Sequence, residues 1–295
     1  MIGPSLTASV LLSLSPEFFT NLGAMTSLNA PPSAPGTSIP THDKRADVRL
    51  IADTSAPEPS KPFLLGVDFT LKGHWHIYWH GTNDSGRAPT IKLKLPEGWK
   101  HGPIQYPAPK RHVGGGIVLD HIYEKHVTLL VEVTPSDAAI TAPVSISADL
   151  TYLICDDVCE IERASASLTL DPSASAPAAS LDAIRAAQQQ LPKPFDNAAK
   201  RGLKITQVYK EAPDGAGYSR FGFKVDGAAA LEFFPGVEAP AISELISSGS
   251  VTGDTIWLPL ETPVDAIQTL TNQLRGSVIS IITRSGENPA YYSLD

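Results

Sequence analysis

Between about Arg45 and Leu170, short runs of alternating apolar and polar residues are separated by turn residues: VRLIAD, FLLGVDFTL, HWHIYWH, TIKLKL, VTLLVEV, VSISADLTYLI and ASASLTL. A period of two is that of a strand with one buried face, and this series of runs predicts a β-sandwich. In His74 to His80 the alternation separates Trp75, Ile77 and Trp79 from His74, His76, Tyr78 and His80, which predicts an aromatic inner face. An Ala/Ser/Pro segment, DPSASAPAAS, follows, then LDAIRAAQQQL, whose Leu181, Ile184 and Leu191 fit a helical stripe ended by Pro192. Beyond Arg201, LKITQVYK, SRFGFKVDG, ALEFFPG, DTIWLPLE, SVISIITR and YYSLD again look like strands, with a helix expected at PVDAIQTLTNQL. The chain therefore reads as mainly β. A signal-like segment and Pro-rich linker occupy 1–40, a β-sandwich 41–172, a linker and helix 173–200, and a second, smaller β domain 201–295.

Composition narrows the function classes. With 42% hydrophobic and 18% charged residues in 295, the chain has material for a sizeable core. The net charge of -8, from 31 acids and 23 bases without a Lys/Arg cluster, argues against nucleic acid as a partner. No apolar run approaches the roughly 18 to 20 residues of a membrane-spanning helix. The most apolar stretch, Val10 to Leu14 in LTASVLLSLSPEFF, has the length of a signal-peptide core and precedes the Pro-rich APPSAPGTSIP, as at an export junction. Against this, no Lys or Arg precedes Lys44, and Pro16 interrupts the run. The expectation is export, with no transmembrane segment in the mature chain.

Cys155 and Cys159, in LTYLICDDVCEIERASASLTL, are the chain's two cysteines. On a straight strand their Cα atoms would lie about 13 Å apart, beyond the roughly 4.4 to 6.8 Å of a disulfide. A tight hairpin through Asp156-Asp157-Val158 would instead set them about 4.5 to 5.5 Å apart. Such a bond could be a structural staple or a redox pair. The ring is small and by loop entropy stabilises by only about 2 kcal/mol, which keeps the redox reading open. Asp156, Asp157, Glu160 and Glu162 are faced in the local sequence only by Arg163, and this negative surround opposes thiolate formation. The disulfide is thus expected to accept attack from a partner's thiolate rather than to start exchange.

The run GHWHIYWHGTNDSGRAPTIKLKLPEGW, the Pro-rich QYPAPKR, the segment IYEKHVTLLVEV and LICDDVCEIERASASLTL together resemble the N-terminal periplasmic domain of DsbD-type thiol:disulfide interchange proteins, most of all the copper-sensitivity-suppressor branch, ScsB. The resemblance spans roughly Asp47 to Leu170 and extends more loosely into the second β domain. It implies an immunoglobulin-like sandwich whose redox pair, Cys155 and Cys159, passes electrons between a membrane-embedded partner and oxidised periplasmic proteins. It also implies a cap loop shielding the cysteines, in the place of Gly114 to Tyr123, with Tyr123 as the shielding candidate. Full-length members continue into a multi-helix membrane domain and a thioredoxin-like Cys-x-x-Cys domain. This sequence carries neither, so its partners, thioredoxin-like or membrane-embedded, are expected to act in trans.

Seven of the eight histidines fall between His74 and His126. His74 and His76 project from one strand face about 7 Å apart and could share a metal, whereas His80 lies about 13 Å beyond His76. His101, His112, His121 and His126 are expected at turns or exposed strand edges. No cofactor and no metal are expected. The alternative is a soft-metal set of Cys155, Cys159, His74 and His76, thiolates being favoured by Cu(I). Gly-x-Ser-x-Gly, Walker and His-Glu-x-x-His motifs are missing from the sequence. The sequence therefore predicts an exported, periplasmic thiol-disulfide carrier of the oxidoreductase type. The alternative is a non-enzymatic periplasmic module that binds copper or a protein and has a structural disulfide.

Overall fold

The computed structural model describes residues 45–176, 178–194, 205–211, 218–237, 239, 250–252, 254–263, 275–283 and 289–294. The signal-like segment 1–40 and the helix expected at 263–274 lie essentially outside these residues. The first ten strands are β1 (Ala46–Ala52), β2 (Phe63–Leu71), β3 (His76–Tyr78), β4 (Thr90–Lys94), β5 (Lys100–Gln105), β6 (Lys110–Gly114), β7 (Val118–Glu124), β8 (His126–Thr134), β9 (Val144–Cys155) and β10 (Cys159–Leu170). They form two sheets, one in the order β1-β2-β8-β5 and the other β10-β9-β3-β7-β6, with β4 also paired to β9. The sheets face each other as an immunoglobulin-like sandwich.

Alternation explains the packing. Leu65, Val67 and Phe69 of β2 and Leu129 and Val131 of β8 meet Ile77, Tyr123, Ile146, Ala148, Leu150, Tyr152 and Ile154 of the second sheet in one buried cluster. Phe69 and Tyr152 touch edge to face across it, with ring centroids 5.5 Å apart. Trp79, just past β3, is fully buried in the same cluster, so the expected aromatic inner face of His74 to His80 is present.

The outer face of the first sheet is covered by α1 (Leu181–Gln190). Ile184 and Ala187 of this helix pack on Ile51 and Leu130, with Leu64 and Leu191 at the margin. Gly66 leaves the room: a Cβ there would lie 2.8 Å from Ile184 Cδ1 and 2.7 Å from Thr128 Cγ2. The helix is therefore docked on the sandwich rather than suspended in a linker. Beside it, the buried Asp68 carboxylate accepts bonds from Arg49, Thr128 and the His126 ring.

The second half adds β11 (Lys193–Pro194), β12 (Ile205–Glu211), β13 (Tyr218–Val225), β14 (Ala228–Phe234), β15 (Ser250–Thr252), β16 (Thr255–Pro263), β17 (Ser277–Thr283) and β18 (Ala290–Leu294). They are arranged as β11-β18-β17-β14-β15 and β12-β13-β16. Phe234 and Val278 join the sandwich's buried cluster, and the Thr82 amide donates to the Pro235 carbonyl at 3.1 Å. His121 lies at this junction. Expected at an exposed edge, it is instead wholly buried on β7, edge-on to Phe234 with centroids 5.6 Å apart, its Nδ1 3.0 Å from the Thr82 carbonyl. Burial pushes its pKa down to about 4. The reason for the difference is that Phe234 and Pro235, far along the chain, cover this strand end, which the local sequence does not reveal.

Two outcomes are expected. Ile184→Ala should lower stability by about 2 to 4 kcal/mol, because a buried side chain is lost between α1 and Gly66; urea unfolding at pH 7 measures it. His121 binds its proton more readily when unfolded, so its neutral form contributes full stability above about pH 6.5. That contribution falls as pH drops through 6.5 toward about 4, up to roughly 3 kcal/mol in all. Urea midpoints between pH 7 and pH 4.5 should therefore fall more steeply in the wild type than in His121→Gln.

Candidate redox site

The turn Asp156-Asp157-Val158 reverses the chain between β9 and β10, closed by a bond from the Asp156 amide to the Val158 carbonyl at 3.2 Å. Cys155 and Cys159 are direct partners in the register, which runs without a break to Val144 and Leu170. They are joined by a disulfide with a Cα–Cα distance of 4.2 Å. This spacing is that of a non-hydrogen-bonded antiparallel pair, so the peptide groups of Cys155 point away from β10. On that side Cys155 pairs with His76 of β3. The two cysteines differ in access. Cys155 is 1% exposed, packed with Tyr78, Ile122 and Leu153, while Cys159 is exposed. Val158 and Ile161, 59% and 58% exposed, flank it.

The other face of the HWHIYWH strand meets this disulfide. His76 and Tyr78 share a side of the sheet with Cys155, and both are buried, so the face expected to be solvated or turn-packed is largely covered. The Tyr78 hydroxyl lies 3.5 Å from Cys159 Sγ and 3.3 Å from Ser85 Oγ. Ser85 donates from its hydroxyl to the buried Asp120 carboxylate and, at 3.0 Å, from its amide. The Asn83-Asp84-Ser85 turn runs along β7 like a short extra strand. His121 N–H donates to Asn83 Oδ1, Leu119 N–H to Asp84 Oδ2, and Asp84 N–H to the Leu119 carbonyl. Gly86 rests on Tyr78, where a Cβ would lie 2.2 Å from the ring. Burial raises the Tyr78 pKa, so the phenol remains a donor at neutral pH. The His76 ring is 5.3 Å from the His112 ring, and burial, then the neighbouring His112, hold it below the ordinary imidazole range.

The electrostatic expectation needs correction. Glu160 and Glu162 are faced by Arg45 as well as by local residues: its Nη2 is 2.6 Å from Glu160 and its Nη1 3.1 Å from Glu162. The guanidinium also stands 4.6 Å over the Trp75 ring. This cation precedes β1, more than a hundred residues away in the chain, so only the fold brings it to the hairpin.

Of the residues singled out from sequence, Cys155 and Cys159 come together. Tyr123 does not join them. It lies opposite Ile77 in the β3–β7 register, hence on the inter-sheet side, and donates its hydroxyl to the Pro107 carbonyl at 2.5 Å. Tyr78 stands beside the disulfide instead, with Ser85 and Gly86 packed against Tyr78. The strand alternation already put Tyr78 on the outer face, whereas the roles of Ser85, Asp120 and Arg45 had no local signal. His74 is exposed while His76 is buried, and among the described residues no group of three or more His, Cys, Asp or Glu has the geometry of a metal site.

Comparison with known proteins gives the domain its relatives. The family model described as thiol:disulfide interchange protein DsbD, N-terminal, matches residues 47–170. No curated protein sequence matches the chain. Among solved structures, the N-terminal periplasmic domain of ScsB from Proteus mirabilis aligns over 87% of this chain and 96% of its own, with a TM-score of 0.51 and 16% identity, a likeness of fold. Domains D2 and D3 of the major pilin SpaD from Corynebacterium diphtheriae align over 83% of this chain and 84% of theirs at 9% identity, with a TM-score of only 0.29. The family match falls on the strands that build the sandwich and ends with β10, the strand that begins at Cys159, so residues 47–170 are an N-terminal domain of the DsbD type.

Proposed function

We propose that the protein is a periplasmic thiol-disulfide carrier in which Cys155 and Cys159 cycle between disulfide and dithiol, exchanging with thioredoxin-like or membrane-embedded partners. The observation that carries this reading is the unequal access of the two cysteines, one exposed at the head of an edge strand and the other buried on the neighbouring strand. A partner thiolate attacks Cys159 Sγ; the disulfide breaks, and Cys155 leaves as a thiolate that takes up a proton. The partner's second thiolate then attacks its own sulfur in the mixed disulfide, which releases Cys159 reduced. Two electrons and two protons thus enter the hairpin, and the same steps in reverse deliver them to an oxidised acceptor. An exported location suits this chemistry, because disulfides persist in oxidising compartments.

The β9–β10 ladder supports reversibility, since it holds the hairpin from Cys155–Cys159 to Val144–Leu170 whether or not the sulfurs are joined. Reduction should leave the circular dichroism spectrum in place. The reduction potential should fall among exchange proteins, at about -120 to -270 mV. A potential below about -300 mV, or melting of the sandwich on reduction, would instead favour a structural disulfide in a binding module. The cysteine variants should differ as well. In Cys155→Ser the exposed Cys159 should form a mixed disulfide by exchange with oxidised thioredoxin, and should alkylate roughly tenfold or more faster than the buried Cys155 of Cys159→Ser. Comparable rates would remove the assignment of Cys159 as the attacked sulfur.

Tyr78 contributes a hydrogen bond that the reduced Cys159 can use. Tyr78→Phe, in the Cys155→Ser background, should shift the alkylation profile of Cys159 to higher pH by about 0.5 to 1 unit, the worth of one modest hydrogen bond to a thiolate. Tyr123→Phe, altered on the other face, should leave that profile unchanged. Iodoacetamide alkylation followed from pH 6 to 10 checks both.

A further inference from the structure

We propose that Arg45 is a positioning residue that sets the charge accepted at Cys159, and so biases which thiols can attack it. The inference rests on the interchange reading above. Glu160 follows Cys159 directly, and Glu162 is two residues further along the same strand. Both project from the side of β10 opposite the sulfur, because Cys159 and Ile161 alternate with them. Arg45 holds both carboxylates there, and Glu162 is fixed from its other oxygen by the Tyr152 hydroxyl at 3.0 Å. The backbone of Arg45 is anchored as well, its carbonyl accepting from the Lys72 amide at 2.8 Å. One guanidinium thus ties the start of β1, the Trp75 ring and the first turns of β10 together.

The chemical consequence follows from the nucleophile. Exchange proceeds through a thiolate, an anion that must approach Cys159 through the field of its neighbours. Asp156 and Asp157 in the exposed turn, with Glu160 and Glu162, make four acids, against Arg45 and Arg163. Removing Arg45 leaves one cation to four acids and frees Glu160 to swing around the strand. The ion pairs are partly exposed, 31% at Arg45 and 42% at Glu160, so solvent screens them and the effect is moderate.

The test compares three small thiols of different charge in stopped-flow reduction of the full chain: anionic 2-mercaptoethanesulfonate, neutral dithiothreitol and cationic cysteamine. Arg45→Gln should slow the anionic thiol by roughly threefold to tenfold at low salt, slow the neutral one less and the cationic one least. The differences should close at 1 M salt, Arg45→Lys should recover most of the rate, and adding Glu160→Gln and Glu162→Gln to Arg45→Gln should restore it. An equal loss with all three thiols, insensitive to salt and not rescued by the carboxylate changes, would mean that Arg45 acts only through packing on Trp75, and would overturn the inference while leaving the interchange reading intact. An unchanged rate would overturn it too. If the wild-type disulfide resists all three thiols, the interchange reading fails and this inference with it.

Discussion

Because Cys155 pairs with Cys159 on one side and His76 on the other, the parity of three strands is tied together at one position of one sheet. A one-residue slip in any of them would send its apolar set to the wrong face. With the register as it is, Ile77, Tyr123, Ile154 and Tyr152 fill the space between the sheets, and Tyr78, Ile122, Leu153 and Cys155 collect on the outer side. The aromatic core and the sulfur chemistry therefore have one cause, seen from the two faces of a pleated strand. This geometry suits the proposed exchange: the core is on the far side of the sheet from the disulfide, and the ladder pairs the two strands along their whole length.

The same geometry separates charge from sulfur. The acids that crowd Cys159 in sequence do not crowd it equally in space, since Glu160 and Glu162 turn to the opposite side and meet Arg45 and the Tyr152 hydroxyl. What remains beside the sulfur is the Asp156-Asp157 turn and two exposed aliphatic residues, Val158 and Ile161. In the proposed exchange a partner would meet an apolar margin with an acidic tip there. β10 is the edge strand of its sheet among the described residues.

Much of this was legible in the sequence, and the reason is periodicity. Each alternating run before Leu170 became a strand, and the disulfide hairpin followed from turn residues between two such runs. β5, β6 and β7 escaped notice because KHGPIQ and KRHVG contain Gly or Pro and little apolar material, while VLDHIYE is buried on both faces and does not alternate. Buried His121 and Asp120 make that strand look polar, and only their partners in the Thr82 to Ser85 turn account for them. Tyr123 shows the limit of carrying a role along the chain by order alone. The residue stands next to Ile122, which does touch the disulfide environment, but one position of offset turns it to the other face. Arg45 was illegible for a different reason: pairing across more than a hundred residues leaves no local pattern.

The inequality of the two sulfurs also bears on the order of events in the proposed reaction. A thiolate departing from Cys155 is released among Tyr78, Ile122 and Leu153, where loss of hydration disfavours an anion. Cys155 is therefore a reluctant leaving group, and bond cleavage at Cys159 is easiest when a proton reaches the buried sulfur as the bond breaks. Once protonated, Cys155 is a weak nucleophile and returns slowly to attack the mixed disulfide. That delay favours resolution by the partner's second thiol, which completes the two-electron transfer, over collapse back to the starting disulfide. Burial of one cysteine thus slows the first step for any thiol that arrives alone and directs the second step forward for a dithiol partner.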